Sequence, residues 1–152
     1  MKVGALLIFL ALFLGMTAGA QELEKRSEGY YKDGALFSGK QELYYENGLV
    51  KSVRVFVRGL EDGISCYYFP DGTPKEHRAW SNGKKHGTWI TWNENGYKTA
   101  EAGYENDKKH GKWYIWDENQ VLRYEMSYQQ GEKLGTWYMW DESGKLVEEK
   151  NF

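Results

Sequence analysis

One cysteine, two prolines and, beyond the first twenty residues, very few leucines stand in a chain of 152 residues. A single cysteine excludes an internal disulfide and any cysteine-built zinc site. The shortage of leucine beside eighteen glycines argues against a helical bundle, because glycine interrupts every stretch long enough for several helical turns. An excess of one charge is missing too. A formal net charge of −2 gives no electrostatic footprint for nucleic acid, so no nucleic-acid partner is expected. No serine or cysteine nucleophile stands beside an evident base, and the carboxylates fall in turn segments where no burial would raise a pKa. The expectation is a non-enzyme with no cofactor.

What the chain does have is aromatic rings, 16% of its residues, with seven tryptophans and twelve tyrosines. Rings and glycine with little leucine read as strands and turns. The first twenty residues differ in kind. Lys2 precedes an apolar run from Val3 to about Met16, and Ala18-Gly19-Ala20 offers the small residues a signal peptidase reads. The run is shorter than the ~18–20 residues that span a bilayer. Residues 1–20 are therefore expected to be a signal peptide cut near Ala20, and the mature chain periplasmic or secreted. Residues 21–29 read as a polar linker, and residues 30–152 as the folded part.

That folded part repeats. Gly39, Gly63, Gly87, Gly111 and Gly135 are separated by twenty-four positions each, without an insertion. Five residues beyond each stands a ring: Tyr44, Tyr68, Trp92, Trp116 and Trp140. A further ring series runs Phe56, Trp80, Tyr104 and Tyr128. Phe69-Pro70-Asp71-Gly72 spells a type I turn followed by a positive-φ glycine, because Pro70 fixes φ near −65° and cannot enter a type I′ turn. Gly48, Gly96 and Gly144 occupy the same frame, and Gln120 replaces the glycine once. A looser, six-residue turn is expected over Asn82–Gly87 and again over Asn106–Gly111. The fold class follows: all-β, an elongated single-layer antiparallel meander of about five tandem 24-residue hairpins. Ten strands at ~4.8 Å would extend roughly 45–50 Å. Pro74, standing in a strand of the second unit, marks the place where the sheet should be weakest or most bent.

The residues that could carry a function are few. The repeat glycines and rings propagate one hairpin geometry and read as structural. Trp89, Trp113 and Trp137 form a stripe that either packs against strand neighbours or offers a stacking strip to a partner. Lys84, Lys85, His86, Lys108, Lys109, His110 and Lys133 fall in the looser turns and would make a basic rim. Glu94, Asp117, Glu118, Asp141 and Glu142 in the tight turns would make an acidic one. The basic rim suits an acidic partner or an anionic lipid surface. His86 and His110 share one frame position, but about 10 Å between equivalent positions is too far for shared metal ligation, so no metal is expected.

The frames Tyr-x-x-Gly-x-x-x-Gly at Tyr128–Gly135 and Gly-x-Trp-x-x-Trp-x-x-x-Gly at Gly135–Gly144 resemble MORN-type repeats. With Tyr45–Gly48 (YENG) and Lys108–Trp113 (KKHGKW), they are most similar to the bacterial variant in the YwqK-like antitoxins. The resemblance covers Tyr30–Phe152 and implies a single-layer hairpin array with a binding role and no catalytic residue. Its label implies neutralising a toxin, whereas a leader implies export. The expected function is an exported, non-enzymatic protein-interaction scaffold at a bacterial envelope. Two alternatives stand beside it: a cell-wall carbohydrate- or choline-binding hairpin array, and an immunity protein against an exported toxin.

Overall fold

The computed structural model describes residues 22–152, so the leader and its cleavage lie outside the described residues. Among the described residues there is no helix. A small sheet comes first, from β1 (Glu24–Arg26), β2 (Gly29–Lys32) and β3 (Ala35–Leu36), paired in that order. The stretch expected to be a linker thus enters a hairpin at Glu24. The large sheet follows from β4 (Gly39–Tyr44), β5 (Val50–Val57), β6 (Leu60–Glu61), β7 (Gly63–Tyr68), β8 (Pro74–Ser81), β9 (Lys84–Trp92), β10 (Lys98–Glu105), β11 (Lys108–Trp116), β12 (Leu122–Gln129), β13 (Glu132–Lys133), β14 (Thr136–Trp140) and β15 (Leu146–Asn151). From β4 to β15 each strand pairs with its neighbours in chain order, and β6 and β13 are the opening segments of β7 and β14. The result is ten rungs, an open antiparallel meander with no crossover.

The tight turns explain why the chain reverses where it does. At each of the five, the residue at the strand end donates its N–H to a carbonyl four residues on, from Tyr45 to Leu49 through to Asp141 to Lys145. The positive-φ residue donates back across the same turn: Gly48 to Tyr45, Gly72 to Phe69, Gly96 to Asn93, Gln120 to Asp117, Gly144 to Asp141. Gln120 keeps the geometry, at φ 65°, in place of glycine. A bulge accompanies every one of these turns, its extra residue on the strand that follows: Lys51, Lys75, Thr99, Arg123 and Val147. Pro74 opens β8 just before the bulge at Lys75, paired with Tyr68 in an otherwise regular β7–β8 ladder. Proline is tolerated at the first residue of a strand and beside a bulge, so the β7–β8 ladder is not interrupted at Pro74.

The second class of turn corrects the sequence reading. It is not six residues but two: Asn82-Gly83 has φ 48° and 76°, and Asn106-Asp107 has φ 50° and 69°. Two positive φ values in succession make a type I′ turn, whose twist matches the flanking strands. Gly87 and Gly111, read as turn ends, lie inside β9 and β11 at φ 76°. The strands continue through them with a bulge, three residues opposite one, and the lysines belong to strands. Successive type I′ turns are also tied together: Gly59 donates to the carbonyl of Phe37, Gly83 to Glu61, Asp107 to Lys85 and Gly131 to Lys109.

With one layer there is almost no core. Among apolar side chains of the described residues only Phe56 and Tyr128 are buried. Stability must come from ladders and cross-strand side-chain pairs.

Candidate functional site

The sheet presents two faces, and register assigns every rung to one or the other. On one, the central row reads Gln41, Arg54, Ser65, Arg78, Trp89, Ala102, Trp113, Met126, Trp137 and Lys150. On the other it reads Glu42, Val53, Cys66, His77, Ile90, Glu101, Tyr114, Glu125, Tyr138 and Glu149. We call these the ladder face and the carboxylate face.

On the ladder face the three stripe tryptophans do one thing three times. Trp89 donates its indole N–H to the carbonyl of Ala79 (2.8 Å), Trp113 to Gly103 (2.8 Å) and Trp137 to Ser127 (3.0 Å). Each bond reaches ten residues back along the chain. Around them runs an unbroken column of rings. Trp80 meets Trp89 at 4.9 Å, Trp89 meets Tyr104 at 5.2 Å, and Tyr104 meets Trp113 at 5.1 Å. Trp113 then meets Tyr128 at 5.5 Å, Tyr128 meets Trp137 at 5.0 Å, and Trp137 meets Phe152 at 4.6 Å. Interplanar angles of 52–63° make these tilted and edge-on contacts, the geometry ring quadrupoles favour. The tryptophans are half-buried, with their polar atoms spent on the backbone.

Three lysines of the expected basic rim also face this column. Lys85 Nζ lies 4.7 Å from the centroid of Trp89 and 5.0 Å from that of Tyr104. Lys109 lies 4.3 and 4.7 Å from Trp113 and Tyr128, and Lys133 lies 4.7 and 4.4 Å from Trp137 and Phe152. Each ring pair is thus a cage already filled by the chain's own ammonium. Lys84, Lys108 and His86 are exposed near the type I′ turns. His110 Nδ1 lies 3.4 Å from Glu105, and Lys108 is the register partner of Glu105, so carboxylates are interspersed along that margin.

At the opposite margin Asp117 and Asp141 turn inward. Asp141 Oδ1 accepts from the N–H groups of Ser143 and Lys145, and Asp117 Oδ1 from those of Asn119 and Val121. Hydrogen bonds from the Ser143 hydroxyl and the turn N–H groups hold the Asp141 carboxyl below the usual range, and bonds from Thr73 do the same for Asp71. Glu94, Glu118 and Glu142 remain exposed at the turn tips.

In the first two units the ladder face is built from other residues. Gln41 and Ser65 stand where Trp89, Trp113 and Trp137 stand later, and both are buried. Phe37 and Glu61 occupy the lysine positions. Arg54 fills the gap: it donates to Glu61 (3.0 Å) and Gln41 (3.5 Å) and lies 4.6 and 4.8 Å from the Tyr30 and Phe56 rings. Partial burial opposes its charge, but the bonds to the Glu61 carboxylate and the Tyr30 hydroxyl outweigh it and raise its pKa.

The carboxylate face was not anticipated. Glu101, Glu125 and Glu149 recur at twenty-four residues between Ile90, Tyr114 and Tyr138, a signal present in the sequence and obscured by the glycine series. Lys98 pairs with Glu101 and Lys112 with Glu125, each at 2.6 Å. The carboxylate row is therefore a property of this face, partly neutralised by Lys98 and Lys112. The repeat rings Trp116 and Trp140 lean on Tyr114 and Tyr138 at 5.7 and 5.8 Å, and Trp92 on His77 at 4.8 Å. Among the described residues, no group of three His, Cys, Asp or Glu side chains is placed to hold a metal.

A family model described as MORN repeat variant matches residues 109–130 and 133–152. These segments are similar to MORN-type repeats, and the same twenty-four-residue frame runs back through the earlier hairpins. No curated protein matches the chain.

Proposed function

We propose that the chain is an exported, non-enzymatic scaffold at a bacterial envelope that holds a protein partner against its hairpin array. The reading rests on MORN-type repeats without an enclosed catalytic cleft, and on a leader-like first twenty residues. One observation carries it: of the apolar side chains on ten rungs only Phe56 and Tyr128 are buried, which leaves two long, half-exposed, ring-bearing faces. A ribbon built this way offers area and repetition, and both suit binding. Membership among the YwqK-like antitoxins would make the partner an exported toxin, and the scaffold would then act by occlusion.

The test is capture from an envelope fraction with the full-length protein and with a Tyr114→Lys/Tyr138→Lys variant. The scaffold reading expects a stoichiometric partner with the former and its loss with the latter. Retention of the chain in the cytoplasm, or equal recovery with both proteins, would overturn it.

A further inference from the structure

The ammoniums of Lys85, Lys109 and Lys133 have no carboxylate within ion-pair distance among the described residues. Each lysine has three donors, and only Lys109 spends one, on the Tyr128 hydroxyl at 3.4 Å. Lys150 joins them at the outer strand, 5.4 Å from the Phe152 ring. The carboxylates on this face are Glu61, held by Arg54, Glu76, held by Arg78, and Glu148 on the last strand. The rest of the carboxylates in these units lie on the other face or in the turns. The ladder face of the last three hairpins is thus a column of cations set on rings, with spare hydrogen-bond donors and little negative charge.

We propose that this face binds an acidic glycan carrying one carboxylate per disaccharide, laid along the ring column across the strands. Spacing favours that ligand. Successive ammoniums are two strands apart, about 9.6 Å, which matches the length of one disaccharide in an extended chain of alternating uronate and hexosamine. Rings stand both on the intervening strands, Tyr104 and Tyr128, and beside the lysines on their own rungs, Trp113 and Trp137. Tyr104, Trp113 and Trp137 are half-exposed and offer apolar surface beside their lysines, while Tyr128 is buried beneath the column; the uronate carboxylate meets a lysine. An extended acidic peptide fits less well. Its same-side side chains repeat at about 6.8 Å, out of step with the lysines, and the ladder face has no unpaired backbone to zip onto. The inference goes beyond the scaffold reading and does not depend on it, because it is tested with purified components.

The experiment titrates full-length protein with a heparosan decasaccharide, alongside neutral chitohexaose, poly-glutamate of matched charge and phosphatidylglycerol vesicles. Heparosan should bind best, and more weakly as salt is raised, since half-exposed ion contacts are screened. Lys85→Gln/Lys109→Gln/Lys133→Gln should weaken heparosan binding at least about tenfold, the scale of one charge-assisted hydrogen bond. The arginine triple variant should retain binding. Lys98→Gln/Lys112→Gln removes charge from the opposite face and should leave affinity unchanged. A wild-type near-UV spectrum shows that the glutamine triple variant is folded; if it is not, the arginine variant and the opposite-face control still decide. Poly-glutamate binding as tightly would make the site a peptide site, and vesicle binding as tight would make it a membrane surface. Either result, an equal loss in the opposite-face control, or no heparosan binding overturns the proposal.

Discussion

The first two hairpins and the last three share one backbone and differ in what covers it. From Trp89 onward the ladder face is closed by indoles that bond the backbone ten residues back, with lysines folded over them. In units one and two the indoles give way to Gln41 and Ser65, and Arg54, arriving from the neighbouring strand, supplies both cation and bulk. The turns differ in parallel. Asn93, Asp117 and Asp141 cap their own turns, whereas Tyr45 and Phe69 stand at that position and the cap passes to Asn47 and Asp71. The same bulges and the same positive-φ positions persist throughout. The backbone is therefore set by turn and bulge chemistry, and the face is a separate, exchangeable layer.

That division can be broken most directly at Trp113. Trp113→Ala removes two ring contacts and leaves the Gly103 carbonyl without its indole donor, and should cost about 3 kcal/mol in thermal or urea unfolding. Ser65→Ala, at the matching position of unit two, should cost about 1 kcal/mol at most. Equal costs would erase the distinction between the halves. Next comes Arg54→Ala, which strands a part-buried Glu61 and should cost about 2–3 kcal/mol, less than a fully buried pair because both partners keep some solvent contact. A loss confined to the first two hairpins in hydrogen exchange would sharpen the comparison. A smaller change of opposite sign is expected from Gln120→Gly, a gain of about 1 kcal/mol, since φ 65° is strained for glutamine and free for glycine.

The smallest effect is a proton effect. Asp71 and Asp141 have folded-state pKa values below their unfolded ones. A depressed carboxyl adds stability that is complete above its unfolded pKa, about 3.9, and is lost as pH falls through the lower folded value. The unfolding midpoint should therefore drop on acidification below that point. Asp141→Asn should flatten the drop while keeping the turn, because Asn93 makes the same backbone bonds with an amide. An unaltered pH profile in that variant would show that Asp141 does not couple to folding.

Much of the ribbon was legible in the sequence because glycine, proline and asparagine state their backbone requirements locally. Pro70-Asp71-Gly72 could form only one hairpin loop, and the structure has it five times. The ring period was equally plain. Orientation was not. Gly87 looks like the end of a turn but is a positive-φ residue inside a nine-residue strand, and that misreading moved Lys85 from a strand face to a loop. The substitution of Arg54 for an indole was hidden because the replacement comes from a different strand, where no spacing rule links it to Gln41. The glutamate row was visible at twenty-four residues, yet assigning it a face required the register.

Each of the last three units fastens to its predecessor through the strand ladder and two short tethers, indole to carbonyl and turn to turn, and to nothing farther away. A whole unit could therefore be removed or copied and the joint would re-form with its neighbours unchanged, provided the cut respects the period. A one-residue deletion inside a rung would instead turn every later side chain to the wrong side. Reach, for this molecule, can be adjusted in whole steps only.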